Sequence, residues 1–258
     1  MLLAIDCGNT NVVFAAFEGK KIVGEWRSAT KVQRTSDDYG VWLTELMVRH
    51  GLDPTMVVDA IIASVVPDKN QVLSELCERY FNCTAIFIGH SNTDIGIKVL
   101  LKNPKEVGDD RLANAVAAHD RFGGPLIIVD FGTATTFDVL DPDGNYVGGV
   151  IAPGINLSME ALHMGAAQLP RISVVNPGQA PVVGDSTVSA MESGVFWGYV
   201  GLIEGLVRRI QVERGGSHKV VATGGFAALF AAATSVLEHV EPHLTMHGLH
   251  TVWRLNKG

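Results

Sequence analysis

Short apolar runs that end in polar turns recur along the chain, and they predict strands in two similar sets. The first set is LLAI at 2–5, NVVFAAFE at 11–18 and KIVGEWRSA at 21–29, with polar residues between successive runs. The second set is LIIVD, FGTATTFDVLD and NYVGGVIA, with a DPDG turn before the last run. Both sets have the order strand, polar turn, strand, tight turn, strand, which predicts two halves built on the same plan.

Helix signals alternate with these strands. In TSDDYGVWLTELMVRHGL, Ser36 is a candidate N-cap, apolar residues recur at helical spacing, and Gly51 ends the pattern. Further helices are expected at about 69–81 and 106–121, and in SMEALHMGAAQ, STVSAMESGVFWGYVGLIEGLVRRIQVERG and FAALFAAATSV; single strands are expected in DAIIASVV, TAIFIG and HKVVATGG. This alternation predicts an α/β protein with mixed sheets. The Gly-Gly pair at 123–124 is the expected boundary between two domains, 1–122 and 123–258.

Two polar loops, DCGNTN at 6–11 and DFGTAT at 130–135, each follow an apolar strand. Glycine lets the backbone approach a phosphate group, hydroxyl and amide groups donate hydrogen bonds to it, and Asp suits the accompanying cation. An ordinary β-turn explains one such loop, because Asp, Asn and Gly are common in turns. Two matching copies instead favour a nucleotide held between the loops.

Two other stretches carry candidate chemistry. GDDRLANAVAAHDRF starts at Gly108 with two acids and an arginine at a predicted helix start. Acids there stabilise any helix, but beside a nucleotide one can accept a hydroxyl proton while the arginine binds a substrate carboxylate. VVATGGF at 220–226 is a predicted strand followed by paired glycines. The glycines either form an ordinary loop or allow a flat ligand such as adenine to lie on the backbone.

Composition narrows the class of protein. The net charge of -7 and the scattered basic residues argue against nucleic acid as the main partner. Three cysteines without a CxxC pair predict no disulfide framework, and no signal peptide or run long enough for a membrane-spanning helix is evident. A soluble cytoplasmic protein without membrane association is expected.

Several other motifs do not indicate the function that they commonly mark. The chain has no GxxxxGK[ST] and no GxGxxG, and its DFG triplet lacks the other protein-kinase motifs. Cys7 is interpreted as a small apolar filler. A metal face is not expected from the four histidines near the C-terminus, because Pro242 interrupts the helix that would align them; they are His239, His243, His247 and His250.

In chain order, the stretches DCGNTN, NPKEVGDDRLANAVAA, DFGTATTFD, GGVIAPG, STVSAMESGVFWGYVGLIEG and ATGG resemble those of type III pantothenate kinases. The resemblance covers nearly the whole chain, and the combination of DxGNT, GxDR and DxGTA is highly specific. It implies the fold of the acetate and sugar kinase, Hsc70 and actin superfamily, with two ribonuclease-H-like halves of mixed sheets flanked by helices. It further implies ATP-dependent phosphorylation of pantothenate to 4'-phosphopantothenate, the first step of coenzyme A biosynthesis, by a homodimer with the acceptor pocket near the subunit interface.

The resemblance also implies roles for individual residues. Asp110 would be the general base, Asp6 would lie near Mg²⁺, and Asp130 would bind a monovalent cation, K⁺ or NH₄⁺. ATP would contact Thr133 and the first loop, which comprises Asp6, Cys7, Gly8, Asn9, Thr10, Asn11, Val12 and Val13. Pantothenate would contact Gly108, Asp109, Arg111 and Thr187, with the second half carrying the adenosine site.

The sequence departs from the family pattern at Leu101, where a tyrosine often stands seven residues before the GxDR glycine. Leucine offers apolar contact but no hydroxyl. Asp109, at the variable position, would raise the pKa of Asp110 if it faced the site, and we expect it to face away because helix neighbours point about 100° apart. The alternatives are another small-molecule kinase of the superfamily and a non-enzymatic nucleotide switch.

Overall fold

The computed structural model describes residues 1–166 and 169–257, and it divides into two compact units. The first unit contains Met1–Arg121 together with His243–Gly258, and the second contains Phe122–Pro242. The division at 121 and 122 lies close to the boundary expected from the sequence. The C-terminal segment, however, lies with the first unit, whereas the sequence assigned it to the second domain.

The first unit is built around a five-stranded mixed sheet in the order β3-β2-β1-β4-β5. Its strands are β1 Leu2–Cys7, β2 Asn11–Glu18, β3 Lys21–Ala29, β4 Asp59–Ser64 and β5 Ala85–Phe87. β1 pairs antiparallel with β2 and parallel with β4. Because β1 is central, its residues from Leu2 to Ile5 are all buried, which explains an apolar run without alternation.

Four α-helices accompany this sheet: α1 Ser36–Arg49, α2 Pro67–Phe81, α3 Asp109–Phe122, whose last residue is in the second unit, and α7 Leu244–Lys257. Helix α1 is capped by Thr35 rather than Ser36. The Thr35 side chain accepts a hydrogen bond from the Asp38 amide, and the Asp38 carboxylate accepts one from the Thr35 amide. Helix α3 begins three residues later than expected, because Pro104–Glu106 forms a separate 3₁₀ turn.

The second unit repeats the sheet plan of the first, in the order β8-β7-β6-β9-β10. Its strands are β6 Leu126–Phe131, β7 Ala134–Leu140, β8 Tyr146–Pro153, β9 Lys219–Gly224 and β10 His239–Val240. β6 pairs antiparallel with β7 and parallel with β9, as β1 does with β2 and β4. The duplication predicted from the strand sets is therefore confirmed.

The helices of the second unit are α4 Ile155–Gly165, α5 Thr187–Arg214 and α6 Ala227–Ala231. α6 is shorter than the expected FAALFAAATSV helix, and the end of the expected SMEALHMGAAQ helix falls on residues 167–168, outside the described residues. Phe196, Tyr199 and Ile203 of α5 are buried in the core of this unit. That face of α5 therefore belongs to the core of the second unit.

Helix α7 has no counterpart in the sequence interpretation, which considered the histidines there only as metal ligands. It packs on β1 and β4. His250 stacks on Phe17 with 5.0 Å between ring centroids, and His243 pairs with Glu25 at 2.8 Å. His243 and His250 thus have structural partners within the first unit. Among residues 1–166 and 169–257, no helix is both long and apolar enough to cross a bilayer.

Replacing Gly248 with Ala is expected to destabilise the first unit. A Cβ atom at Gly248 would collide with the carbonyl group of Ala113, which is backbone of α3 and cannot rotate away. Overpacking of this kind costs about 1–3 kcal/mol, and α7 must shift to relieve it. Thermal unfolding followed by circular dichroism measures the effect. Gly201→Ala is the matched control, since a Cβ on that α5 residue meets nothing within 4 Å; equal stability of the two variants would contradict the packing interpretation.

Candidate active site

The first polar loop closes a hairpin between β1 and β2. Cys7 lies opposite Val12 in the ladder, and the Gly8 amide donates to the Asn11 carbonyl at 3.0 Å. The side chains of Asn9, Thr10 and Asn11 are exposed at the tip. Amide and hydroxyl donors on a glycine-containing hairpin provide the groups that bind phosphate oxygens.

Asp6 and Cys7 are consecutive strand residues, so their side chains lie on opposite faces of the sheet. Cys7 is fully buried in the core cluster formed with α1 and α2, whereas Asp6 is half-buried on the other face. Burial raises the pKa of the Cys7 thiol to about 11, so the thiol stays protonated at neutral pH. Cys7 is therefore a core residue whose backbone alone can serve the loop.

Thr30 holds the first loop in place, and the sequence analysis missed it. Its hydroxyl donates to the Gly8 carbonyl at 2.7 Å, and its amide donates to the Thr10 carbonyl at 3.0 Å. Thr30 lies directly after β3, and no local motif marks it. It can be found only from the pairing of β3 with β2.

The start of α3 carries the expected acceptor-site residues. Asp110 is half-buried, and one of its carboxylate oxygens, Oδ1, accepts a hydrogen bond from the Arg111 amide at 2.8 Å. Burial raises the pKa of Asp110 above the usual range for aspartate, while the hydrogen bond and the charge of Arg111 oppose this shift. A raised pKa makes Asp110 a stronger base at neutral pH.

Asp109 points toward the end of β4. Its Oδ2 atom accepts a hydrogen bond from the Ser64 amide at 3.2 Å. The pKa of Asp109 is raised to about 6, mainly by burial and to a smaller extent by the negative charge of Asp110, while the hydrogen bond from Ser64 opposes the shift. The two carboxylates thus affect each other electrostatically, although the Asp109 side chain is directed to the sheet.

The second polar loop also closes a hairpin with a glycine amide, but it is one residue shorter than the first. The Gly132 amide donates to the carbonyl of Ala134, two residues on, at 3.0 Å, whereas the Gly8 amide donates to the carbonyl of Asn11, three residues on. Asp130 is half-buried in the next-to-last position of β6, equivalent to Asp6 in β1, and Thr133 is exposed at the tip. Each unit therefore contributes one hairpin with an Asp at its base.

The ATGG stretch lies beside the second loop. The Gly225 amide donates to the Phe131 carbonyl at 3.1 Å, and a Cβ at Gly224 would lie only 2.6 Å from the Asp130 Oδ1 atom. Gly224 also has a φ of +87°, which disfavours any other residue. The paired glycines thus let the end of β9 run close to Asp130.

The remaining expected substrate residues lie on other elements. Leu101 is half-buried in the irregular segment before α3, and Thr187 is exposed at the first position of α5. The two residues lie in different units, Leu101 in the first and Thr187 in the second. The segment around Leu101 is continuous with the GxDR stretch at the start of α3.

The carboxylates of Asp6 and Asp130 are each suited to a cation that is bound jointly with a nucleotide. Within the described ranges no group of three or more His, Cys, Asp or Glu residues could hold a metal ion by itself. Mg²⁺ is usually bound through one or two carboxylates together with substrate phosphates and water, so a single Asp such as Asp6 is sufficient. Asp130 likewise offers one carboxylate, beside the backbone of the second loop.

Comparison with known proteins agrees with this description. The family model for type III pantothenate kinase matches residues 2–209. The type III pantothenate kinase of Paramagnetospirillum magneticum is 57% identical over 99% of this chain and 98% of its own length, and that of Caulobacter vibrioides is 51% identical over 99% and 98%. Similar solved structures include a protein described as a Baf family transcriptional activator from Campylobacter jejuni, with a TM-score of 0.62, 18% identity and coverage of 98% of both chains.

A structure described as a 2-dehydro-3-deoxygalactonokinase from Sinorhizobium meliloti has a TM-score of 0.60 at 14% identity, covering 99% of this chain and 96% of its own. At such low identity these structures show the fold alone. The two sheets and their loops define a protein with the fold of sugar kinases and actin-like ATPases. The chain belongs to the type III pantothenate kinase family. Its reaction is accordingly the phosphorylation of pantothenate in coenzyme A biosynthesis.

Proposed function

We propose that the protein transfers the γ-phosphoryl group of ATP to the primary hydroxyl of pantothenate, with Asp110 as the general base. The observation that carries this proposal lies in the first unit. Asp110 is a half-buried carboxylate whose neighbour Asp109 binds Ser64, and Ser64 pairs in register with Cys7 of the first loop. A base of raised pKa thus lies at a helix start that is tied to a phosphate-binding hairpin.

The nucleotide site comprises the two hairpin loops in this proposal. The first loop, Asp6–Val13, binds the phosphates, with Asp6 near Mg²⁺; Thr133 contacts ATP, and Asp130 binds K⁺ or NH₄⁺. Mg²⁺ supplies charge neutralisation at the phosphates when it is bound. The support is the shared antiparallel pairing of the strands in the two hairpins and the equivalent positions of their two Asp residues.

The acceptor site comprises Gly108, Asp109, Asp110 and Arg111, with Leu101 and Thr187 as further contacts. Arg111 is suited to bind the pantothenate carboxylate because a guanidinium donates two parallel hydrogen bonds. Asp110 orients the acceptor hydroxyl and takes its proton as the oxygen attacks phosphorus. Phosphoryl transfer depends mainly on positioning and electrostatics, so these few groups are sufficient.

ADP release from ATP and Mg²⁺, measured with and without pantothenate in potassium and then in sodium buffer, tests the proposal. Release that depends on both pantothenate and potassium is expected. Turnover that is indifferent to the cation would remove the role of Asp130 but retain the kinase. Bound ATP without pantothenate-dependent turnover would favour another acceptor or a nucleotide switch, and a panel of alcohols and acids would separate those two.

A homodimer and a cytoplasmic location belong to the same proposal. The stretch 151–188 of the second unit exposes many large apolar side chains, of which Met164 is 71% and Val183 86% exposed. The others are Ile151, Leu157, Leu162, Val175, Val182 and Val188. Apolar surface of this extent favours contact with another subunit. The use of ATP as a substrate is consistent with a cytoplasmic location.

Val183→Asp is therefore expected to shift the protein from dimer toward monomer, because dimerisation would bury a charge without a partner. Sedimentation velocity at several micromolar concentrations measures the shift. Val212→Asp, at an exposed α5 residue outside this stretch, is the control and should leave the sedimentation coefficient unchanged. A wild-type monomer at all concentrations would contradict the proposed dimer.

A further inference from the structure

We infer that Asp109 is a positioning residue, which fixes the first turn of α3 against the end of β4 and so holds the Asp110 carboxylate in place. This inference rests on the proposed role of Asp110. It concerns the side chain of Asp109, whereas the proposed lining of the acceptor site requires only its backbone.

The first support is the contact with β4. The hydrogen bond from the Ser64 amide to Asp109 Oδ2 joins residues 45 positions apart in the chain. Ser64 is the last residue of β4, and the following amide, that of Val65, donates to the Cys7 carbonyl at 3.1 Å. A displacement of Asp109 would therefore be transmitted to both the start of α3 and the base of the first loop.

The second support is the close packing around the two carboxylates. A Cβ at Gly89 would lie 2.5 Å from Asp109 Oδ1, and a Cβ at Gly108 would lie 2.7 Å from Asp110 Oδ1 and 3.1 Å from a Val65 methyl group. Glycine at both positions thus leaves the space that the carboxylates occupy. Such enclosure restricts the side chains to few orientations, which favours a defined geometry for Asp110.

The third support is electrostatic. Two ionisable groups act on Asp109: the charge of Asp110 raises its pKa, and His90 lowers it. Arg111 lowers the pKa of Asp110. Burial is nevertheless the largest influence on Asp109 and raises its pKa to about 6. At neutral pH the protein therefore keeps a partly buried negative charge on Asp109, and the hydrogen bond from the Ser64 amide is the contact that stabilises it.

Keeping this charge lowers stability. A carboxyl group whose pKa is raised in the folded state stabilises the fold only while protonated, so its contribution declines as the pH rises from the unfolded value of about 3.9 toward 6. Asp109→Asn removes the charge and retains an oxygen that can accept from Ser64. This variant should melt at a higher temperature than the wild type at pH 7.5, and the difference should shrink at pH 4.

Three proteins separate the charge from the hydrogen bond: wild type, Asp109→Asn and Asp109→Ala. We expect kcat to fall by about tenfold in Asp109→Asn and further in Asp109→Ala, since weakened base catalysis costs part of the usual 10²–10⁴-fold contribution. The pantothenate KM should change less than kcat, because a displaced base affects the chemical step more than substrate binding. Asp68→Asn, an exposed acid in the first turn of α2, is the control for a general loss of charge.

A readout that does not need turnover keeps the inference separate from the proposed reaction. The NMR signal of the Asp110 carboxyl carbon should shift in Asp109→Ala, because the first turn of α3 is displaced, and hydrogen exchange at the Ser64 amide should accelerate only in that variant. An unchanged Asp110 carboxyl signal and unchanged Ser64 exchange in both variants would overturn the inference. An inactive wild type with the expected NMR and exchange changes would instead refute the assigned reaction while retaining the positioning role.

Discussion

Asp110→Asn should lower kcat for pantothenate phosphorylation by about 10²–10⁴-fold, the contribution typical of a positioned general base. Asparagine occupies the same space and can still accept the hydrogen bond from the Arg111 amide, but it cannot take up the hydroxyl proton. The local geometry should therefore survive while the chemistry fails. Steady-state ADP release gives kcat, and titration calorimetry with ATP and Mg²⁺ should show a nearly unchanged Kd.

The control for this variant is again Asp68→Asn, in which an exposed acid at another helix start is neutralised. It should turn over like the wild type. If Asp110→Asn retained near-wild-type kcat, another group would have to accept the proton. If it lost ATP binding as well, the loss would point to an altered first unit rather than to a missing base.

Asp130→Asn is expected to abolish the activation of turnover by potassium. In potassium buffer kcat should fall by about 10²-fold, which is the usual effect of removing one preorganised electrostatic group. Asparagine retains the size of the side chain, which matters because Gly224 approaches the Asp130 carboxylate closely. Only the negative charge that would attract the cation is lost. Turnover is measured across a potassium series at constant ionic strength.

Asp143→Asn is the matched control in the second unit, because Asp143 is an exposed residue of the turn between β7 and β8. Its potassium dependence should equal that of the wild type. An Asp130→Asn enzyme that still needed potassium would place the cation elsewhere. An enzyme that needed no potassium before the change would leave Asp130 without a cation to bind.

The sheets and their duplication could be predicted because the relevant information is local. Buried central strands such as β1 and β6 are continuous apolar runs, and the loops that follow them contain glycine and small polar residues. The sequence also located the candidate base, since the acids of GDDR stand at a helix start. The boundary of that helix was wrong by three residues, because a proline-initiated 3₁₀ turn precedes it.

The features that escaped prediction depend on contacts between distant residues. Thr30 supports the first loop from a neighbouring strand, and Asp109 binds Ser64 across 45 positions. The expectation that Asp109 faces away from the site considered only the geometry of its own helix. Helix α7 was not predicted, because its histidines were considered only as possible metal ligands. Its apolar residues Leu244, Leu249 and Val252 are in fact buried in the core.

The position of α7 has a consequence for the order in which the protein can fold during synthesis. The second unit is one continuous stretch, Phe122–Pro242, and it is synthesised between the two parts of the first unit. The sheet of the first unit therefore lacks α7, which packs on β1 and β4, until the second unit has been made. The nascent chain must keep the apolar face of that sheet soluble during this interval. A chain cut just before α7 should be captured by chaperones even though both polar loops are present.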